Sequence, residues 1–318
     1  METRHGAAPM ASHNLKRLCT TFAVIGALVL LYQLIGYIRW AIGPSFAEVP
    51  PGPSPITDEV LANVRNSESF MAMGGIVWTL FLIGFSWFRR ELVWPVFVTI
   101  LWSSVYWQES MTNAANQAFT LNLHFFNRGD WISDLPFMPV DRATITQPLI
   151  QETMAFYWLN PVFSLLAAGI MILCYRYLKI GNIVALCAIA VLFGVLMDIY
   201  AEFSGISQGI MAWNRAWPPL TVYAGTVRQW PIYEGLLLGA LWALPGIFYF
   251  LRGANRFTPW DHGFGHIRAA SYRNAAIVLM QVGLLNTLFM AYNLIVVWFS
   301  AMSPEVAGFP SYLGGGIK

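Results

Sequence analysis

Long apolar runs separated by short polar segments dominate the chain. A membrane's hydrocarbon core is about 30 Å thick and takes roughly 20 apolar residues as helix. Seven runs meet this length, and we predict transmembrane helices over residues 17–39, 69–88, 92–112, 153–175, 182–203, 231–251 and 274–300. The expected fold class is therefore all-α, a polytopic membrane helical bundle. It would form one domain over 17–303, with an N-terminal tail over 1–16 and a C-terminal tail over 304–318.

Composition supports a membrane protein and excludes several function classes. Of the 318 residues, 57% are hydrophobic and only 11% are charged, whereas soluble domains average about 25% charged residues. The 18 basic and 16 acidic side chains give no basic surface for nucleic acid. The three cysteines lie in or beside apolar segments and predict no disulfide framework. The lipid bilayer is thus the expected environment, and nucleic acid is not an expected partner.

Basic residues in short loops predict the orientation of the bundle. Loops on the cytoplasmic side of a membrane are enriched in Lys and Arg. Arg89 with Arg90, and Arg176 with Lys179, fall in two short loops on the same side as the N-terminus. We therefore predict an N-in, C-out protein of the cell membrane. The first apolar run is too long for a typical signal peptide and is interpreted as an anchor.

Acidic residues cluster towards the predicted outer face. Ionisable groups in or near a membrane span are usually functional or paired. Five carboxyl groups lie near the outer ends of the third to sixth spans: Glu109, Glu152, Asp198, Glu202 and Glu234. This pattern predicts an acidic site in the outer half of the bundle.

Asp198 and Glu202 are the strongest catalytic candidates. Their i, i+4 spacing places both on one stripe of a helix, about 5–6 Å apart along its axis. Two carboxyl groups this close do not both ionise readily at low dielectric, so we expect one to keep its proton and serve as a general acid. Glu234 and Glu109 are the other two catalytic candidates.

Neutral polar residues form stripes near the same face. The stripe that ends the third span has spacings of 3, 4 and 3, which predicts a helix continuing past the apolar run. It consists of Tyr106, Glu109, Asn113 and Asn116. Asn160 and Asn293 lie in similar stripes of the fourth and seventh spans. Two aromatic-rich connections, 113–152 and 204–230, could cap a polar cavity on this side.

Each feature also has a structural interpretation. Glu234 follows Pro231 in a first helical turn, where capping and the helix dipole favour an acid. Glu202 could extend to the membrane interface beside Arg215 or Arg228, and Asp198 could belong to an ion pair. The asparagine stripes could serve only as hydrogen bonds between helices.

Three segments carry a resemblance to a known family. They are 122–131 (NLHFFNRGDW), 198–202 (DIYAE) and 228–234 (RQWPIYE). With the helix count and spacing, they resemble the spirocyclase AveC-like family of actinobacterial membrane proteins. The resemblance implies dehydration or spiroketal formation on a hydrophobic, polyketide-like or lipid-like substrate. The candidate substrate contacts from the polar stripes are Tyr106, Asn113, Asn160 and Asn293, and the resemblance adds His124, Asn127, Trp131, Arg228 and Tyr233. Asp130 replaces a small residue of the family pattern and adds a possible acid.

These observations lead to a mechanistic hypothesis. One of Asp198 and Glu202 protonates a ketone or hydroxyl group, and the other accepts the proton of the attacking hydroxyl. Glu234 and Tyr106 would orient the pair, and Arg228 would hold one carboxylate ionised. This chemistry calls for no metal and no cofactor.

Two other classes of function stay open. The same carboxyl groups would suit a non-enzymatic lipid or small-molecule carrier, or a proton relay in a transporter. The Asp198–Glu202 spacing also resembles half of a magnesium site in membrane prenyltransferases, although those normally carry two Asp-rich motifs. The sequence predicts neither an oligomeric state nor a particular substrate.

Overall fold

The computed structural model describes residues 9–113, 115–138, 146–253 and 263–314. Helices dominate this part of the chain, and we number seven of them as follows: α1 Pro9–Ile42, α2 Asp58–Arg89, α3 Trp94–Ser103, α4 Gln151–Arg176, α5 Ile183–Ser207, α6 Ile232–Gly253 and α7 Ala270–Ala301. All except α3 are long and apolar enough to cross a membrane. The predicted all-α membrane bundle is confirmed.

The third predicted span is divided into two kinds of helix. The α-helix α3 has 10 residues, about 15 Å, and is followed by a 3₁₀ helix over Tyr106–Asn113. The prediction of a continuous α-helix is therefore wrong beyond Ser103. At about 2.0 Å per residue the 3₁₀ helix adds roughly 16 Å. Their summed length of about 31 Å is close to the thickness of a membrane's hydrocarbon core.

Contacts with α7 explain the division. Trp107 Nε1 and Gln108 Nε2 both donate hydrogen bonds to Asn286 Oδ1, at 2.9 and 2.8 Å, and Thr112 Oγ1 donates to Asn293 Oδ1 at 3.0 Å. These polar side chains are buried and need such partners. The tighter turn brings them to α7, where the asparagine stripe supplies the acceptors.

Helix α2 begins at Asp58 rather than at residue 69. The Thr57 side chain accepts a hydrogen bond from the Val60 amide and caps the first turn, which is a preferred use of threonine. Asp58 and Glu59 follow in that turn, where the helix dipole favours acids. Local capping therefore extends the helix beyond its apolar run.

Glycine pairs allow close contact between helices. A Cβ atom at Gly194 of α5 or at Gly239 of α6 would overlap the backbone of the other helix, and Gly26 of α1 faces Gly283 of α7 in the same way. Small residues at such crossings are typical of membrane bundles because lipid provides no hydrophobic force between helices. The α5–α6 crossing fixes the two helices that carry Asp198, Glu202 and Glu234.

One end of the bundle is covered by a cap of connecting segments, 43–57, 115–138, 146–150, 208–231 and 302–314. Strand β1 (Phe119–Leu121) pairs antiparallel with β2 (Met211–Trp213), and β3 (Thr221–Val222) with β4 (Trp230–Pro231). The two predicted aromatic-rich connections thus meet in space.

The C-terminal segment belongs to the cap. Leu123 N donates to Tyr312 O at 2.9 Å, and Val306 N donates to Asn214 O at 3.1 Å. The described part of the predicted 304–318 tail therefore packs against the bundle, while 315–318 and residues 1–8 of the predicted N-terminal tail lie outside the described residues. The C-terminal ends of α1 and α7 both meet this cap, through Trp40 and Phe299.

Candidate functional site

A cavity of about 450 Å³ lies beneath the cap. It is bounded by α2, α4, α5, α6, α7 and the 3₁₀ helix, and its walls are mostly apolar and aromatic. The aromatic wall residues are Phe70, Phe119, Phe156, Phe163, Tyr200, Trp213, Trp242, Phe289 and Tyr292. This volume is typical of sites for small organic molecules.

The structure brings the five acidic residues together in this cavity. Its described lining includes Glu109, Glu152, Asp198, Glu202 and Glu234. The described lining contains no Lys, Arg or His side chain. The four ion pairs found among the described residues all lie elsewhere. The acidic cluster is therefore surrounded by neutral groups.

Asp198 and Glu234 lie side by side across the α5–α6 contact. Each residue is only 1% exposed. Apart from each other, Asp198 and Oε2 of Glu234 have no hydrogen-bond partner within the described part of the chain. The ion-pair interpretation of Asp198 gains no support there. Two buried carboxyl groups whose free oxygens have only each other as partners are rare in folded proteins and suggest a ligand or a reacting group.

Two aromatic side chains donate hydrogen bonds to the Glu234 and Glu202 carboxyl groups. Tyr292 donates its hydroxyl to Glu234 Oε1 at 3.0 Å, and Trp213 Nε1 donates to Glu202 Oε2 at 2.5 Å. Glu202 is thus buried beneath the cap, and Arg215, its expected interfacial neighbour, pairs with Glu305 at 2.8 Å. Sequence analysis missed Tyr292, which lies in an apolar run, and placed Trp213 only within the aromatic-rich connection 204–230.

A π-helical turn shapes the wall formed by α4. The turn covers Ala155–Leu159, and such turns often occur at functional sites because the extra residue redirects the following side chains. Glu152, Phe156 and Asn160 all line the cavity. Asn160 therefore occupies the position that its polar stripe predicts.

The 3₁₀ helix places Glu109 in the cavity. Residues three apart eclipse each other in this helix, and Glu109 and Thr112 both line the cavity. Asp130 lies near Glu109 but outside the cavity lining, and its carboxyl oxygens accept hydrogen bonds from Ser110 Oγ at 2.5 Å and Ile132 N at 2.6 Å. Asp130 is thus bound by the protein itself.

The other asparagine side chains predicted to contact a substrate form hydrogen bonds within the protein. Asn113 Oδ1 accepts the amide of Ala118 at 2.9 Å, Asn127 Oδ1 accepts that of Val49 at 2.9 Å, and Asn293 binds Thr112. None of the three asparagines belongs to the cavity lining as the described residues form it. The structural interpretation of these stripes fits this arrangement.

The remaining candidates also lie outside the lining that the described residues provide. Trp131 donates to Trp107 O at 3.0 Å, and its ring packs 4.8 Å from that of Tyr106. Tyr233 packs against Phe299, and His124 against Tyr312. Arg228 is exposed and makes no ion pair with a described carboxyl group. Its expected role beside a carboxylate is not supported by this position.

Metal coordination has little geometric support in the described part of the chain. No group of three or more His, Cys, Asp or Glu residues there is arranged to hold a metal ion.

Comparison with known proteins identifies the family. The model of the spirocyclase AveC-like family matches residues 88–308. This match covers more than half of the chain and includes every carboxyl group of the cavity. Neither the comparison with curated proteins nor that with solved structures gives a match. The chain belongs to the spirocyclase AveC-like family.

Proposed function

We propose that the protein is a membrane-embedded acid/base cyclase or dehydratase, similar to a spirocyclase, in the cell membrane. The observation that carries this proposal is the burial of Asp198, Glu202 and Glu234 together in one largely aromatic cavity. Family membership supports the cyclase activity. The substrate would be a hydrophobic polyketide-like or lipid-like molecule with hydroxyl or ketone groups.

The hydrogen bonds suggest separate roles for the carboxyl groups. Asp198 has no described partner other than Glu234, so we assign it the transfer of a proton to a substrate oxygen. Glu202 already accepts the Trp213 N–H, which fixes it as an acceptor for the proton of an attacking hydroxyl. Glu234, held by Tyr292, would keep Asp198 in position. Such acid/base pairs contribute about 100-fold to 10,000-fold to a rate.

The proposed chemistry is balanced without a redox step. A substrate hydroxyl forms a C–O bond to a ketone carbon, the carbonyl π electrons move to oxygen, and this oxygen takes the acid's proton while the base takes the hydroxyl's proton. In the second stage the carboxyl group that gained a proton in the first stage protonates the new hydroxyl group, which leaves as water. A second hydroxyl oxygen bonds to the same carbon, and its proton passes to the other carboxylate, which restores both carboxyl groups. The net change is loss of one water molecule.

The cavity favours neutral, lipophilic substrates. No described lining residue is basic, so a phosphate or carboxylate group would meet five acidic residues with no cation to bind it. The cavity reaches the protein surface at Phe70 of α2 and Tyr200 of α5, which are 59% and 71% exposed. This opening lies between two helices predicted to contact lipid. We infer that the substrate enters from the outer leaflet.

The proposal is tested by comparing extracts of cells. A host that produces hydrophobic polyols or ketones would express the parent protein, the Asp198→Asn/Glu202→Gln double variant, or Glu305→Gln at equal membrane abundance. Glu305 is an exposed cap residue paired with Arg215 and provides the same chemical change away from the cavity. Mass spectrometry with chromatography should reveal a compound that loses water, or changes retention at constant mass, only with the parent and Glu305→Gln.

A compound that accumulates without chemical change would instead indicate a carrier. The cyclase proposal fails if purified parent protein binds the compound identified in the extracts but leaves its mass and retention unchanged.

Replacing Tyr292 is expected to lower turnover less than replacing the acidic residues does. Tyr292→Phe removes the hydroxyl that holds Glu234 Oε1, and we expect turnover to fall about tenfold, the equivalent of one hydrogen bond. Initial rates on the identified substrate provide the measurement. Glu234→Gln combined with Tyr292→Phe should be no slower than Glu234→Gln alone, because the two residues act as one unit. Additive losses would show that Tyr292 acts independently of Glu234.

A further inference from the structure

A second cavity lies at the opposite end of the bundle from the cap. It has a volume of about 1260 Å³ and is formed by α2, α3, α4, α6 and α7. Most of its walls are apolar, including Leu92, Phe97, Leu165, Ile172 and Ile277. Its polar groups lie at two levels, one at the rim and one deep between the helices. The acid/base proposal uses neither.

The deep polar group is Gln281 of α7. Its side chain lines the cavity and is 1% exposed, and its amide oxygen and nitrogen both lack a hydrogen-bond partner among the described residues. A buried amide with no partner is costly. A hydroxyl group both donates and accepts, and it would satisfy the two amide atoms. Gln281 therefore indicates an oxygen-bearing ligand at this depth.

The rim is basic. Arg252 lies 5.3 Å above the Trp94 ring, and no carboxyl group of the described chain lies within ion-pair distance of it. Arg89 also borders the cavity, with Glu91 at 3.7 Å. An arginine stacked on an aromatic ring keeps its N–H edge available for a carboxylate. The rim can therefore bind an anionic head group.

The two levels are separated by a defined length of helix. The lining of α7 runs from Ser271 at the rim to Gln281, and ten residues of α-helix span about 15 Å. A ligand that satisfies both levels needs an anionic head and a long apolar chain carrying an oxygen atom well inside it. An unsubstituted phospholipid acyl chain would leave Gln281 without a partner.

We propose that this cavity is a second binding site, which takes a long-chain carboxylate with a hydroxyl or keto group in its chain. Arg252, aided by Arg89, binds the carboxylate, and the Gln281 amide binds the oxygen within the chain. Apolar walls enclose the rest of the chain. The site is separate from the acidic cavity and does not depend on the proposed reaction.

Direct binding to the purified full-length protein in detergent tests the proposal. The probes are radiolabelled 12-hydroxystearate, whose hydroxyl lies in mid-chain, and radiolabelled stearate. We expect the parent to bind 12-hydroxystearate about tenfold more tightly, the equivalent of about one hydrogen bond. Gln281→Leu should remove this preference, and Arg252→Gln should lower the affinity for both ligands about tenfold. Arg268→Gln alters an exposed arginine outside the lining and should bind both ligands like the parent.

The comparison of the two ligands on the parent protein needs no variant and stays informative if a variant misfolds. Equal affinity for 12-hydroxystearate and stearate would overturn the proposal, as would a preference that survives in Gln281→Leu. Displacement of the probe by equimolar phosphatidylglycerol or inorganic phosphate would also overturn it and would indicate a phospholipid or anion site. Binding should persist in Asp198→Asn, so the result is independent of turnover in the other cavity.

Discussion

Replacing Asp198 by Asn is expected to lower turnover of the identified substrate by about 100-fold to 10,000-fold, the usual contribution of a general acid. The side chain keeps its shape but cannot supply the proton. Glu234 is the partner recorded for the Asp198 carboxyl group in the described structure, and the Asn amide can still donate a hydrogen bond to it. Initial rates in membranes of equal protein content give the measurement.

The controls for Asp198 separate chemistry from folding. Asp198→Asn should melt at the parent temperature or above it, since it removes a buried acid, and Glu305→Gln should keep parent turnover. Turnover within twofold of the parent in Asp198→Asn would remove Asp198 from the acid role. If turnover persists in Asp198→Asn and is lost in the Asp198→Asn/Glu202→Gln double variant, the two carboxyl groups exchange roles.

Replacing Gly239 by Leu is expected to prevent assembly of the α5–α6 contact. A Cβ atom at this position already overlaps the backbone at Gly194 and Val195, and backbone is less able to move aside than the end of a flexible side chain. Overpacking a close contact destabilises by about 1–3 kcal/mol and occasionally by more, a large part of the stability of a typical protein. We expect little monodisperse protein in size-exclusion chromatography and no substrate turnover.

Gly84→Leu provides the matched control. Gly84 lies in α2, and a Cβ atom there meets no atom within 4 Å. The same change in a transmembrane helix should therefore leave yield and melting temperature near those of the parent. Normal recovery of Gly239→Leu would mean that α5 and α6 are not held by this crossing and that Asp198 and Glu234 are brought together by other contacts.

The acidic cavity and the second cavity have opposite electrostatic characters. The first holds five carboxyl groups and no described basic side chain, whereas the rim of the second carries Arg89 and Arg252. Because charge selectivity is strong in surroundings of low dielectric, the two cavities should bind different ligands. Neutral substrates suit the first, and anionic amphiphiles suit the second.

The sequence by itself determined the membrane bundle and the location of the acids. Both depend on local properties, because hydropathy summed over about 20 residues predicts a span and the helix period predicts which residues share a stripe. This is sufficient to place Asp198 and Glu202 on one face of α5 and to place Glu109, Glu152 and Glu234 near the same end. Asn160 was also identified from its stripe.

Only the tertiary structure decided which of these side chains meet and which are used elsewhere. Glu234 receives its hydrogen bond from Tyr292, 58 residues away, and Thr112 of the 3₁₀ helix binds Asn293, 181 residues away. No periodicity in one segment can indicate a partner in another. For the same reason Arg228, a close neighbour of Glu234 in sequence, lies exposed on the cap while Trp213 extends inward to Glu202. The buried acids depend on how the segments pack, because their neutral donors are presented by the cap and by α7.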